Sequence, residues 1–270
     1  MSHAAAASEL PARKPAKNLV YGNILLGQLA ILLGMLVAWH FLTAWKIMPP
    51  FFFGEPIKVF ERIWVWFSSG MIYQHLWITL LETILAFGFG MVFGVAVGLT
   101  LGLSPVLAAL LDPFIKGLNA MPRVILAPIF IVWFGLGIWS KVALGFTLVF
   151  FIVFFNVYQG IREVSPLVLA NARMLGASKG QLLRTVYLPS ATSWVFSSLH
   201  TSVGMAFVGA VVGEYLGSSQ GVGYLILQAE AVFDVSTVFA GIIVLTAFAL
   251  VLDGTVSMIE RRLLAWRPQA

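Results

Sequence analysis

The sequence predicts an all-α integral membrane protein with six transmembrane helices, and three observations carry that prediction. Charged residues make up only 10% of the 270-residue chain and hydrophobic residues 60%, with a mean hydropathy of +0.96; a soluble domain carries about 25% charged residues. Apolar runs recur between short polar segments, and each is of the order of the roughly 20 residues that a helix needs to cross a bilayer. The basic residues, finally, are segregated by loop rather than gathered on one soluble face, the pattern of membrane orientation rather than of nucleic-acid binding.

The elements follow in order. Residues 1–20, polar and Ala/Pro-rich with Arg13, Lys14 and Lys17, read as a disordered tail. Residues 21–45 form an apolar run too long for a signal-peptide core and without a small-x-small cleavage site behind it, hence an uncleaved first span. After Pro49-Pro50, Ile57, Phe60, Trp64 and Phe67 recur at helical spacing among Lys58, Glu61 and Arg62. A short helix in the membrane interface fits this pattern, with a plain extramembrane loop as the alternative. The second span covers residues 77–103. Gly90, Gly94, Gly98 and Gly102 fall on one of its faces, where small residues let helix backbones approach closely. Ser104-Pro105 ends it, since proline cannot donate to the preceding turn.

Residues 106–137 carry Pro113, Pro122 and Pro128. As one straight helix they would rise nearly 48 Å at about 1.5 Å per residue, well beyond a hydrocarbon core of about 30 Å. The reading is therefore an interfacial helix up to Ala120, a break at Pro122 and a third span over 124–137. Ser140-Lys141 is expected to make a tight turn before a fourth span over 142–158. The fifth span covers 190–213, a loop with an amphipathic piece at 223–233 follows, and the sixth span covers 237–259. The transmembrane domain thus occupies 21–260, and residues 261–270, with Arg261, Arg262 and Arg267, form a C-terminal tail. Six spans put both termini on one side. That side, with the 159–188 loop, gathers ten of the sixteen Lys and Arg, and the opposite loops hold Lys46, Lys58, Arg62 and Lys141. The positive-inside rule makes the richer side cytoplasmic.

The most informative stretch is Ala170-Asn171-Ala172-Arg173-Met174-Leu175-Gly176-Ala177-Ser178, running on to Val186-Tyr187-Leu188-Pro189. It reads as a helix, a bend at Gly176, and a second helix in which Gln181, Leu182, Leu183, Arg184 and Val186 mix apolar and basic faces. Apolar side chains on a cytoplasmic projection that lipid does not cover point to a docking element for another protein; an ordinary interfacial loop is the alternative.

This stretch resembles the coupling loop, or EAA loop, of binding-protein-dependent ABC importer permeases. Its pattern is Glu-Ala-Ala, a Gly after three further residues, and then Ile-x-Leu-Pro. Gly176, Val186, Leu188 and Pro189 fall at the corresponding offsets. Ala170 replaces the Glu and Asn171 the first Ala, so no contact resting on that carboxylate is carried over. The rest of the chain is similar to the nitrate/sulfonate/taurine branch of the family. The similarity runs through Pro49-Pro50, His75-Leu76, Thr79-Leu80, Gly98-Leu99 and Leu103-Ser104. It continues through Pro122, Pro128, Trp133-Phe134-Gly135-Leu136-Gly137, Ser140-Lys141, Glu214 and Gly221-Val222-Gly223-Tyr224.

The resemblance implies a type I ABC importer permease-like bundle in a bacterial inner membrane. Two copies, a homodimer, would form the channel, a cytoplasmic ABC ATPase dimer would grip the loop at 161–189, and a periplasmic substrate-binding protein would deliver a small organic or inorganic anion. The residues it assigns to ATPase coupling are Ala170, Ala172, Arg173, Leu175, Gly176, Ala177, Ser178, Gln181, Leu182, Arg184 and Pro189. The chain lacks G-x-x-x-x-G-K-[ST], the loop that cradles nucleotide phosphates. ATP and Mg are therefore expected on the partner ATPase, with no cofactor, metal or catalytic residue on this chain.

Ionisable groups within spans are costly and each is a functional hypothesis. Glu82 stands where the family often has Arg; it either alters a pairing at the outer end of the second span or sits there as a solvated carboxylate. Asp112 and Lys116, four apart, are expected to pair. Arg123 beside Pro122 either meets an anionic substrate leaving inward or simply follows the positive-inside rule. Ser193, Ser197 and Thr201 share one face of the fifth span, with His200 and Gly204 beside them. They are the candidate translocation path, interhelical hydrogen bonding being the other reading. Asn156 and Gln159 read as packing or anchoring groups, and Glu214 as part of an outer gate.

Two rival classes remain. An ATP-independent secondary transporter or channel favours paired broken repeats, and only one proline-broken segment is present. A membrane enzyme needs a catalytic cluster, and His3, His40, His75 and His200 lie far apart without a metal or nucleophile motif. The absence of cysteine removes thiol catalysis and thiolate metal sites.

Overall fold

The computed structural model describes residues 17–263. The tail expected at 1–20 lies almost wholly outside the described residues, as does most of the one expected at 261–270. The described part is helical throughout, and the chain divides into two compact units, residues 1–57 and 58–270. In the first, α1 (Lys17–Ala44) exposes Leu26, Ile31, Leu33 and Met35, the all-round apolar surface of a helix whose solvent is lipid. A short turn, α2 (Pro50–Phe53), follows, and the Trp39 indole N–H donates to the Phe53 carbonyl at 3.2 Å.

The expected short helix is α3 (Pro56–Ser68), with Ile57, Phe60, Trp64 and Phe67 all exposed. The second span, α4 (Met71–Leu103), begins at Met71 rather than at Trp77 and stops at Ser104 as expected. After it come α5 (Pro105–Ala120), a 3-10 turn at Arg123–Leu126 and α6 (Ala127–Phe134). The expected break is real: the two segments are bent by 85°. The expected third span at 124–137 is corrected, because the eight residues of α6 rise only about 12 Å and the proline-bounded 3-10 turn takes up the rest. Among the described residues five single helices are long and apolar enough to cross a membrane, or six spans if the bent pair counts as one.

The tight turn expected at Ser140-Lys141 is also corrected. The chain turns at Gly135, which takes a φ of 75°, and α7 (Ile138–Arg162) has already begun before Ser140. Lys141 is fully buried in its first turn, and its ammonium donates to the carbonyls of Leu136 and Gly137 at 2.6 and 3.0 Å. The turn thus belongs to glycine, which accepts a positive φ without a Cβ clash.

The α4 glycines explain how α4 and α7 pack. A Cβ on Gly90, Gly94, Gly98 or Gly102 would lie 2.5, 2.8, 2.8 or 2.7 Å from Val149, Val153, Val157 or Ile161 respectively. Contacts advancing four residues at a time on both helices make the pair parallel and in register. With Ala86, Ala191 and Ala206, the facing α7 residues form the bundle's core.

Beyond α7 come α8 (Pro166–Met174), α9 (Lys179–Leu182), a π-turn at Leu183–Tyr187 and α10 (Leu188–Ser197). Next is α11 (Leu199–Leu216), so the fifth span is interrupted at Ser198. The expected amphipathic piece is α12 (Val222–Ala231), and the last span is α13 (Val235–Leu263).

Asp234 caps α13: its Oδ1 accepts from the Thr237 N–H at 3.1 Å, and its Oδ2 accepts from the Thr237 hydroxyl at 2.5 Å and from Arg62 at 3.2 Å. Burial works against the charged form, but the Thr237 and Arg62 hydrogen bonds hold the Asp234 carboxyl below its ordinary value. A lowered carboxyl pKa contributes stability that is present above the unfolded-state value and lost as pH falls through the folded one. Asp234→Ala is accordingly expected to cost about 1 kcal/mol at neutral pH in detergent unfolding. The deficit should close on acidification toward and below the ordinary aspartate range.

Candidate functional site

Two regions gather candidate functional side chains, one at each end of α7. At its C-terminal end the chain leaves the bundle and makes the bent segment read from sequence. Gly176 takes a φ of 81° between α8 and α9, and Ser178 and Gln181 form a capping box, with the Ser178 N–H donating to Gln181 Oε1 at 2.8 Å. This reciprocal cap satisfies N–H groups that a helix start leaves open, so α9 has a defined beginning although it is only one turn long.

The segment shows two faces. Ala170, Arg173, Leu175, Gly176, Ser178, Gln181, Arg184 and Pro189 are exposed, while Ala172 and Ala177 are partly covered. Leu182 is buried, so it anchors the segment to its own chain. Met174 and Leu175, at 78% and 89% exposure, with Leu167 and Val168, form an apolar knob at the bend. The sequence pointed to uncovered apolar side chains here and named Leu175 among them; the fold adds Met174, Leu167 and Val168 to the outward face.

At the other end of α7 lies a buried polar network that sequence reasoning did not assemble. Glu82 of α4, Lys141 of α7 and Glu214 of α11 have at most 1% exposure each and lie within electrostatic reach of one another. Glu214 Oε1 accepts from the Thr79 hydroxyl at 2.6 Å, and Oε2 from the Gly223 N–H at 2.7 Å. The Val222 N–H donates to Thr79 Oγ1 at 3.2 Å, and the Gly221 N–H to His75 Nδ1 at 3.1 Å. Three successive N–H groups at the start of α12 are thus satisfied by side chains from α4 and α11, meeting the need that any buried helix start has.

Gly221 sits at φ 103°, and a Cβ on it would lie 2.1 Å from Glu214 Cδ. A Cβ on Gly223 would lie 2.6 Å from the Val211 carbonyl. Gly-Val-Gly is therefore a spatial requirement of the carboxylate's seat. Glu82 is not the solvated carboxylate offered as one alternative; it is enclosed, and its Oε2 has no hydrogen-bond partner. Glu214 likewise reaches no open surface and acts by holding α12. The missed signal was the spacing of Thr79, Glu82 and His75 on one face of α4.

The remaining candidates separate. Ser197, Thr201 and Gly204 are exposed along one face of α10 and α11, Ser193 is half-buried, and Val208 continues the line. His200 does not stand on it freely: Nδ1 lies 3.0 Å from Asp253 and Nε2 2.6 Å from Glu260, both on α13. Asp112 and Lys116 pair at 2.6 Å as expected. Asn156 and Gln159 bond within their own helix end, to the Ile152 carbonyl and to Glu163. Arg123 lies over the Phe151 ring, 4.6 Å from its centroid. Among the described residues no group of three or more His, Cys, Asp or Glu is placed to hold a metal.

Comparison with known proteins agrees with this architecture. Residues 90–265 match the family described as binding-protein-dependent transport system inner membrane component. The chain is 34% identical over 241 residues to the riboflavin transport system permease protein RibX of Chloroflexus aurantiacus, covering 89% of this chain and 90% of that one. It is 29% identical over 246 residues to the taurine transport system permease protein TauC of Escherichia coli K12, covering 89% and 88%. In fold it is similar to a chain of the MetNI methionine ABC transporter in an inward-facing conformation. There the TM-score is 0.62 at 18% identity, over 72% of this chain and 97% of that one.

Proposed function

The chain belongs to the family of binding-protein-dependent transport system inner membrane components, and from that premise we propose how this permease subunit divides its work. As a multi-pass inner-membrane subunit of an ABC importer it is the permease and not the ATPase; an ATPase and a binding protein are the partners such a system implies. The segment from α8 to α9 is the surface that the ATPase grips, with the termini and this loop on the cytoplasmic side. The observation that carries this reading is the exposed Met174–Leu175 knob on a Gly176 bend. Large apolar side chains at such exposure gain free energy when a partner covers them, by about 25 cal/mol per Å².

The face of Ser193, Ser197, Thr201 and Gly204, open in the single chain, lines the translocation path against a second copy of the permease in a homodimer. Arg123 contributes to the same path, Glu214 seats the outer segment, and ATP with Mg acts on the partner alone. The substrate is a small organic or inorganic anion of the sulfonate, taurine or nitrate kind. A neutral heterocycle is the second reading, because the riboflavin permease is no less similar than the taurine one.

Deleting residues 170–186 tests the docking surface. The expected result is complete loss of ATPase co-purification with membrane insertion intact, and Leu175→Asp alone should reduce capture at least tenfold. Undiminished capture after the deletion would show that the engine grips elsewhere.

A further inference from the structure

We propose that Arg123 is an anion-binding step at mid-membrane, taking small oxyanions such as sulfonates or carboxylates. The inference rests on the reading that this chain lines a translocation path, and it specifies what that path selects.

Depth comes first. Arg123 sits in the 3-10 turn at the 85° bend, and its guanidinium covers Phe151. Phe151 is thirteen residues after the start of α7 and eleven before its end, about 20 Å and 17 Å along the axis. The cation therefore lies near the middle of a span and away from both headgroup layers.

Its partners are the second point. One terminal nitrogen, Nη2, donates to the Asn119 carbonyl at 3.3 Å and to the Asn119 side-chain oxygen. Nε is buried without a partner, and no carboxylate pairs with Arg123 among the described residues. A guanidinium carries five N–H donors; Nη2 serves Asn119 and Nε is enclosed, which leaves the two N–H groups of Nη1 for a ligand.

The side chain is also half-exposed in the single chain. An arginine near a lipid surface ordinarily extends to the interface, but this one is held inward by the ring and by Asn119. At this depth its open side must meet water rather than hydrocarbon. A positive group with one terminal nitrogen unspent, no internal counter-ion and a hydrated side suits an oxygen of an oxyanion through a charge-assisted hydrogen bond. Because the site is open and supplied by one residue, it holds the anion weakly enough to pass it on, as conduction requires.

The chain has no cysteine, so a single introduced thiol reports local access. Phe155, exposed and with its ring centroid 6.3 Å from that of Phe151, is replaced as Phe155→Cys in the full chain, reconstituted in liposomes with its ATPase. Labelling rates are compared for an anionic sulfonatoethyl and a cationic trimethylammonioethyl methanethiosulfonate. The anion-to-cation ratio is expected to fall about sixfold on adding Arg123→Gln, the effect on two oppositely charged reagents of removing a unit charge about 8 Å away across water, at a dielectric of about 80. Arg123→Lys should keep most of the ratio, and methanesulfonate should slow anionic labelling only when residue 123 is cationic.

An unchanged ratio in Arg123→Gln, or a thiol that neither reagent reaches, overturns the proposal. Should Arg123→Gln fail to fold, methanesulfonate protection in the chain that keeps Arg123 decides alone. ATPase capture is measured on the same samples. Its loss from the unsubstituted chain would count against the permease reading, and a flat labelling ratio with capture intact only against the anion step.

Discussion

Gly98→Leu is expected to abolish recovery of folded protein. At Gly98 a Cβ alone would stand 2.8 Å from Val157 Cβ and 3.0 Å from the Phe154 carbonyl oxygen. The obstacle includes backbone, which cannot rotate aside as a side-chain tip can. Ordinary overpacking in a core costs about 1–3 kcal/mol. Here the longer side chain must separate two in-register helices along their whole shared face, so the cost is expected to exceed about 3 kcal/mol. Marginal stability of about 5–15 kcal/mol leaves little room for that. Gly88 supplies the control on the same helix, since a Cβ there meets nothing within 4 Å. Gly88→Ala should leave the melting temperature in detergent unchanged or slightly raised, because Ala is the better helix former. Equal damage from both substitutions would remove the packing explanation.

The second large effect has opposite signs at two neighbouring carboxylates. Glu214→Ala strips the acceptor from the Gly223 N–H and the Thr79 hydroxyl, and it opens a void beside buried Lys141. Breaking a buried charged group out of its hydrogen-bonded seat costs about 3–5 kcal/mol. A loss of that size is expected in thermal unfolding, with α12 as the first element to lose protection from hydrogen exchange. Glu82→Met should instead be neutral or stabilising. Glu82 Oε2 is buried and unpartnered, and removing this carboxyl leaves Lys141 and Glu214 as a balanced pair. Two carboxyls share one ammonium there, so removing Glu82 also relieves its like-charge contact with Glu214. A Glu82→Met protein as unstable as Glu214→Ala would show that the Glu82 carboxyl is an essential member of the network.

Much of the candidate docking site was legible in the chain itself. The bend at Gly176, the two helical pieces around it and the Pro189 entry to the next span depend on local conformational preferences, which sequence reports directly. The apolar knob was less legible, since Met174 and Leu175 are as hydrophobic as any core residue and only the direction of the bend exposes them. At the start of α7 the local reading failed for the same reason. Ser140-Lys141 looks polar enough for a turn, but Lys141 is absorbed by carbonyls one turn back and by room that Gly213 leaves for its stem.

The α4 glycine stripe was visible as a pattern, and the bilayer explains why it could be trusted: lipid offers helices no hydrophobic reason to associate, so small residues at the interface are needed. The equivalent contact between α7 and α11 was not visible. There Gly209 and Gly145 meet one another, a Cβ on Gly209 falling 2.4 Å from Gly145 Cα. Gly145 has no glycine within four residues of it in α7, so the α7 side of this contact carries no period, although Gly209 and Gly213 stand four apart in α11.

By itself the sequence determined the solvent this protein folds in, the approximate spans, the break at Pro122 and the bent loop, because hydropathy and backbone preference are properties of short stretches of chain. Tertiary structure alone decided that Glu82, Lys141 and Glu214 share one enclosed site, that Glu214 seats the start of α12, and that Arg123 lies over the middle of α7. Those facts depend on which helices become neighbours in space, and the energy of a charge in a membrane is set by such neighbours rather than by its place in the sequence.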